Sequence, residues 1–121
     1  MSYDIRFGVK VAGAENVYAV IGEPEYGSPT YNVGRIFRAA CDWDFDQGVW
    51  YPVAEVLPHI ERGIHELRFN ASAYKRMEPD NGWGSTSTAL KALESIVEWL
   101  TKERQWAWNA DVPLECIYIS W

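Results

Sequence analysis

The sequence has few of the residues that most often build metal sites and nucleophilic centres. Its 121 residues include two cysteines and two histidines. Cys41 and Cys116 form no CxxC pair and belong to no Cys/His cluster, so the spacing of a zinc site is missing. The simplest interpretation is two free, buried thiols in a reducing compartment, and the sequence leaves a disulfide between them as the alternative.

Long hydrophobic runs are also missing. No apolar stretch approaches the ~20 residues that cross a bilayer. The opening MSYDIRFGVK lacks the charged region followed by an apolar region that is typical of a signal peptide. We therefore expect a cytoplasmic protein without a membrane partner.

Basic residues are in the minority. Eleven Lys and Arg residues stand against 17 Asp and Glu residues, for a net charge of −6. Such a chain repels a phosphate backbone, so we expect no direct contact with nucleic acid. An acidic surface does suit a partner protein with a basic surface.

Common catalytic motifs are absent. The chain contains no G-x-S-x-G elbow, no P-loop and no G-x-G-x-x-G segment. His59 and His65 are six positions apart and fall on different faces of a helix. Glu94 and Glu98 form an i, i+4 pair that we interpret as a solvated acidic face. We therefore assign no catalytic residue and no cofactor, and the sequence favours a non-enzymatic protein.

One acidic segment resembles the start of a calcium loop. Asp42, Asp44 and Asp46 alternate as such a loop requires. The sixth position, however, is Gln47 instead of Gly, and the twelfth is Val53 instead of Glu. We therefore assign no metal ligand.

Apolar and aromatic residues are plentiful. They make up 48% and 15% of the chain, with seven Trp and seven Tyr. This is enough for one hydrophobic core, and the length is usual for a single domain spanning residues 1–121. Most of the Trp rings are expected to pack in that core, and the others suit a binding surface.

Strand patterns stand at both ends of the chain. Residues 3–11 alternate between apolar and polar side chains, and residues 17–21 form a β-branched run after a turn at 12–16. These two segments predict an antiparallel hairpin. Residues 114–121, LECIYISW, predict a last strand that joins it.

Helical patterns fill the middle. Apolar residues recur at i, i+3, i+4 and i+7 over residues 33–40, and similar stripes follow at 53–67 and at 86–104. A further short helix is predicted at 71–77. The fold class is therefore α+β, with a small antiparallel sheet packed against about three helices in the order β-β-α-α-(α)-β.

Two polar, aromatic loops each lead into a helix, at residues 28–35 and 80–85. If they converge, they would form a pocket for a small ligand such as a nucleotide-like anion, in which Trp83 stacks on a base and Arg35 pairs with a phosphate. In the alternative interpretation, Gly82 and Gly84 allow a tight turn and Trp83 fills the core. The candidate ligand-binding residues are Thr30, Tyr31, Asn32, Arg35, Asn81 and Trp83.

The same loops carry a family resemblance. The segments S-P-T-Y-N-V-G-x-I-F and P-D-N-G-W-G-S-x-x-x-A-L are similar to those of a group of small proteins encoded in bacteriophages, prophages and actinobacterial genomes. The resemblance covers about residues 28–100, and N-G-W-G is its most distinctive element. It implies a phage or prophage setting, and it implies no activity and no catalytic residue.

Two functions follow as hypotheses. The first is a non-enzymatic phage-type protein that binds a host protein stoichiometrically, with inhibition of a defence component as one form of it. The second is a small-ligand binding protein or small enzyme that uses the two loops. A third alternative is a homo-oligomer assembled through a sheet edge or a Trp-rich face.

Overall fold

A computed structural model describes residues 3–29, 31–44, 46, 48–79, 84–103 and 113–121, with backbone alone at 31 and 103. Within these ranges the order of the main elements is β-β-α-β-α-α-β. One antiparallel sheet is formed by four strands, β1 (Arg6–Lys10), β2 (Tyr18–Gly22), β3 (Trp50–Pro52) and β4 (Ile117–Ser120), in the spatial order β2-β1-β4-β3. The predicted α+β class is confirmed.

The opening hairpin is present. Strand β1 spans Arg6–Lys10 and β2 spans Tyr18–Gly22, and they pair antiparallel. The register shifts between Phe7 and Gly8, so that β2 carries one extra residue there. Beyond Gly22 the chain bulges outward and returns beside β1, where Ile5 N–H donates to the Gly27 carbonyl at 2.8 Å.

The last strand joins the hairpin at the centre of the sheet. Strand β4 spans Ile117–Ser120 and pairs with β1, with Phe7 opposite Ile119. It is shorter than predicted, because Leu114–Cys116 form a 3-10 turn. The two ends of the sequence therefore build the two central strands.

One strand was not predicted. Strand β3 spans Trp50–Pro52 and pairs with β4, which makes the sheet four-stranded instead of three-stranded. Three residues are too few to show alternation, and the strand exists because β4 supplies its partner groups. Its last residue, Pro52, leads directly into a helix that begins at Val53.

Three α-helices lie on one face of the sheet. Helix α1 spans Gly34–Cys41, α2 spans Val53–Phe69 and α3 spans Thr86–Glu98. Helix α2 contacts both α1 and α3, and it continues through Pro58. The short helix predicted at 71–77 is a pair of 3-10 turns, Ala71–Ala73 and Lys75–Met77.

The predicted helical stripes face the sheet. Side chains such as Phe37, Ile60 and Leu93 join Phe7 and Ile119 in one buried cluster. Helix α3 ends earlier than predicted and widens into a π-helical turn at Trp99–Glu103. In the described ranges, no helix combines the length and the apolar character needed to cross a bilayer.

Candidate functional site: the outer face of the sheet

The strands turn alternate side chains away from the helices. In β4, Ile117 and Ile119 are fully buried on the helix side, whereas Tyr118 projects from the opposite face and is half-buried. The register places Tyr118 beside Gly8 of β1 and Pro52 of β3. No described helix covers this second face, which we call the outer face.

Three aromatic rings meet on the outer face. Tyr18 of β2 stacks on Trp50 of β3, with ring centroids 5.0 Å apart and planes 15° apart. Tyr118 contacts Tyr18 edge-on at 4.9 Å. These three residues, the aromatic cluster, come from three different strands, and all three are half-buried. Such clusters of Trp and Tyr are typical of binding hot spots.

Gly8 makes the cluster possible. A β-carbon at this position would lie 2.8 Å from Cζ3 of Trp50 and 3.0 Å from the carbonyl oxygen of Ala19. Because glycine has no side chain, the Trp50 ring can extend across β4 and reach β1. The glycine is buried under that ring.

Basic and apolar groups surround the cluster. Arg6 and Lys10 are exposed, and Arg6 lies 3.9 Å from the carboxylate of Asp4. Two hollows of about 420 and 430 Å³ are each lined by both Asp4 and Arg6. Val20 of β2 is 52% exposed on the same face. The outer face thus combines rings, an exposed apolar side chain and shallow hollows, which are features of a docking surface.

The six predicted ligand-binding residues fall in two groups. Asn32 and Arg35 are exposed, and Tyr31 starts a 3-10 turn, Tyr31–Val33, that contacts α3. Thr30, Asn81 and Trp83 lie outside the described residues. Whether the two loops converge therefore stays a prediction.

The N-terminus of α3 already holds a negative charge. Ser85 caps the helix by accepting a hydrogen bond from the Thr88 N–H at 3.1 Å. The Glu78 carboxylate accepts from both the N–H and the hydroxyl of Thr86, at 3.0 and 3.2 Å. An anionic ligand at this helix end would have to displace that carboxylate.

A groove of about 580 Å³ lies between α2 and α3, and neither Asn32 nor Arg35 lines it. The two acidic residues predicted to form a solvated pair both lie along it and have basic partners. Glu94 pairs with Arg68, and Glu98 pairs with Lys102 at 3.2 Å. Exposed pairs of this kind contribute about 0–1 kcal/mol each.

The two cysteines differ in environment. Cys41 is fully buried at the end of α1, and Cys116 is exposed, which corrects the expectation of two buried thiols. Both thiols are free. Burial raises the pKa of the Cys41 thiol to about 12, against a smaller lowering by the charge of Arg62. A thiol with so high a pKa stays protonated and is a poor nucleophile.

His59 has a structural role, and the acidic segment that resembles the start of a calcium loop is exposed. His59 is half-buried, and its Nδ1 lies 3.0 Å from the carbonyl oxygen of Cys41. Asp42, Asp44 and Asp46 are exposed, and Tyr51 donates its hydroxyl hydrogen to Asp46 at 3.4 Å. Burial, assisted by the Asp46 charge, raises the pKa of Tyr51. In the described part of the chain, no three His, Cys, Asp or Glu side chains are grouped to hold a metal ion.

Sequence reasoning missed the aromatic cluster, although a signal exists. Glycine inside an alternating strand often marks a close approach of other groups, and Gly8 is such a residue. The alternation of Ile117, Tyr118 and Ile119 also indicates that the tyrosine points away from the core. Neither signal identifies Trp50 as the neighbour, because that requires the strand order.

Comparison with protein-family models, with curated proteins and with solved structures found no match to this chain.

Proposed function

We propose that this chain is a non-enzymatic binding protein that acts stoichiometrically on a partner protein and contacts it through the outer face of its sheet. The aromatic cluster of Tyr18, Trp50 and Tyr118 is the observation that carries the proposal. All three rings are half-buried on a face that no described helix covers. A partner would bury the remaining ring surface.

The chemistry of the described residues supports binding over catalysis. Cys41 is a buried, protonated thiol, and His59 is engaged with a backbone carbonyl. The outer face instead offers large rigid rings with few torsions to immobilise, so little conformational entropy is lost on binding. The resemblance to phage and prophage proteins makes a host protein the first partner to test, with defence components among the candidates.

The experiment is capture of a partner from bacterial host cells by the tagged full chain, followed by native mass spectrometry. We expect a one-to-one complex. Tyr18→Ala and Trp50→Ala should each weaken it by about thirtyfold or more, because truncation of a hot-spot ring costs about 2 kcal/mol or more. Phe69→Ala is the matched control, since this ring is 76% exposed at the end of α2 on the helical side.

Thermal unfolding of each variant shows whether it is folded. Val20→Asp is a further variant, because it changes an exposed side chain of the outer face and no core contact. Equal binding by wild type, Trp50→Ala and Val20→Asp would contradict the proposal. Loss of partner binding in Phe69→Ala alone would also contradict it.

A further inference from the structure

The backbone of β2 presents hydrogen-bonding groups at an edge of the sheet. In the strand order β2-β1-β4-β3, β2 is an outermost strand, and no described strand lies on its outer side. Val11 N–H donates to the Val17 carbonyl at 2.8 Å, so these two residues form a hydrogen-bonded pair. In an antiparallel ladder such pairs alternate with pairs that are not hydrogen-bonded.

The register identifies which groups point outward. The next hydrogen-bonded pair after Val11 and Val17 is Val9 with Ala19. Tyr18 and Val20 therefore fall in the intervening pairs. Their N–H and C=O groups point away from β1, toward the open edge.

This edge lacks the usual protection against pairing. The strand reads YAVIG and contains neither a charged residue nor a proline. The opposite edge strand, β3, has only three residues and ends in Pro52, which has no N–H to donate. Of the two outermost strands that the structure describes, only β2 therefore has an unprotected edge.

Negative charge stands at both ends of the open edge. Glu15 lies in the turn before β2, and Glu23 and Glu25 follow its last residue, Gly22. Two basic side chains of β1 also lie near this edge. Lys10 is opposite Tyr18, and Arg6, which is paired with Asp4, lines a hollow together with Val20 and Glu23. The three glutamates outnumber these two basic residues.

A second copy of this chain fits the edge poorly. Antiparallel pairing of two copies, with Tyr18 opposite Val20 of the second copy, brings the turn that carries Glu15 toward the end of the second β2 that is followed by Glu23, at both ends of the pair. Like charges brought together at both ends repel each other. A segment with basic residues at its ends has the complementary charge.

We propose that the β2 edge binds an extended, basic segment of the partner protein as an additional strand of the sheet. The inference rests on the proposed function and specifies its partner. Tyr18 connects the two surfaces, because its ring belongs to the aromatic cluster and its backbone belongs to the open edge. The partner segment would thus lie beside the outer face, with its basic residues near Glu15 and Glu23.

The test is an NMR titration of the full chain with a nine-residue peptide, Lys-Thr-Val-Thr-Val-Thr-Val-Thr-Lys, because positions 15 to 23 span nine residues. The control peptide has Glu in place of both Lys residues. We expect the lysine peptide to bind about tenfold more tightly at low salt, with the largest shifts and the strongest slowing of hydrogen exchange at the Tyr18 and Val20 amides. Added salt should reduce the difference.

Val20→Pro removes one outward N–H and leaves the β1–β2 hydrogen bonds in place, whereas Val20→Ala removes only side-chain atoms. We expect Val20→Pro to bind the lysine peptide about fivefold or more weakly than Val20→Ala does, because both variants lose side-chain atoms of the outer face and only Val20→Pro also loses the N–H. Equal loss in both variants, no binding at millimolar peptide, or shifts located away from β2 would overturn the inference. If Val20→Pro fails to fold, the inference is tested by amide exchange in the wild type, where the lysine peptide should slow exchange at Tyr18 and Val20. If the peptide experiments fail but Trp50→Ala still abolishes binding of the captured partner, only the inference about the β2 edge is overturned. The proposed function then stands.

Discussion

The imidazole of His59 donates its Nδ1 hydrogen to the carbonyl oxygen of Cys41 over 3.0 Å, so that α2 caps the end of α1. Arg62, one turn further along α2, donates to the carbonyl of Ala40. The last carbonyls of a helix have no partner within the helix, and these side chains supply one. The histidine is therefore part of the contact between the two helices.

This contact leads to a first prediction. His59→Phe keeps a ring beside Trp43, whose centroid is 4.7 Å away, but removes the donor. We expect the free energy of unfolding to fall by about 1–3 kcal/mol, because a partly buried carbonyl loses its partner. Urea unfolding measures the change. His65→Phe, an exposed position on the same helix, is the control, and equal values for the two variants would contradict the prediction.

A second prediction concerns the packing of α1 against α2. A β-carbon on Gly63 would overlap the sulfur of Cys41. Gly63→Ala gains about 1 kcal/mol in helix propensity but overpacks the core by about 1–3 kcal/mol. We expect a net loss of stability in the wild type and a gain, or no change, in a Cys41→Ala background. A double-mutant cycle measures this coupling, and additive effects would show that the sulfur is not the obstacle.

A third prediction uses the raised pKa of Cys41. In the native protein, we expect a thiol reagent at pH 8 to label Cys116 and to leave Cys41 unmodified until the chain unfolds. Cys116 is exposed, whereas Cys41 is buried and has a pKa of about 12. Mass spectrometry of native and denatured samples distinguishes the two sites. Comparable labelling of both in the native state would contradict the burial described here.

The same pKa predicts a pH dependence of stability. The ordinary value for cysteine is 9.0 and the folded value is about 12, so the folded state holds the thiol proton more tightly than the unfolded state does. The stabilisation is complete below pH 9 and is lost as the pH rises from about 9 to about 12. Tyr51 and Tyr74 act in the same direction, since burial raises the pKa of each. We expect Cys41→Ala to reduce the alkaline slope by up to about 1.4 kcal/mol per pH unit, and an unchanged slope would refute this assignment.

A fifth prediction tests the aromatic cluster without a partner. Gly8→Ala places a methyl group where the Trp50 ring lies, so the ring must move. We expect a loss of about 1–3 kcal/mol and a change in near-ultraviolet circular dichroism. In a Trp50→Ala background, the same substitution should cost clearly less. Equal costs in the two backgrounds would mean that the ring does not occupy the space above Gly8.

Much of the fold could be predicted because the periodic patterns are long. The alternation through Phe7 and Val9 identifies β1, and the stripe through Leu93 and Ile96 identifies α3. Strand β3 could not be predicted, since three residues carry no period and the strand depends on its pairing with β4. The early end of α3 reflects tertiary packing, in which Trp99 stacks on Phe7 at 4.1 Å.

The candidate site was less predictable, for a topological reason. Tyr18, Trp50 and Tyr118 are far apart in the sequence, and only the order β2-β1-β4-β3 brings their rings together. The loops that looked most like a site are distinctive in composition. Asn32 and Arg35 in the first of them are exposed, and the second lies largely outside the described residues.

The central pairing of β1 with β4 has a consequence for synthesis of the chain. Arg6 lies opposite Ser120, so the middle of the sheet joins segments separated by nearly the whole sequence. Contacts of such separation form slowly, because a long loop must close first. During synthesis the opening hairpin forms before β4 is available, and a chain truncated before residue 117 would leave β1 unpaired on the side that β4 occupies. Chaperone dependence and rapid proteolysis are the expected fate of such a fragment.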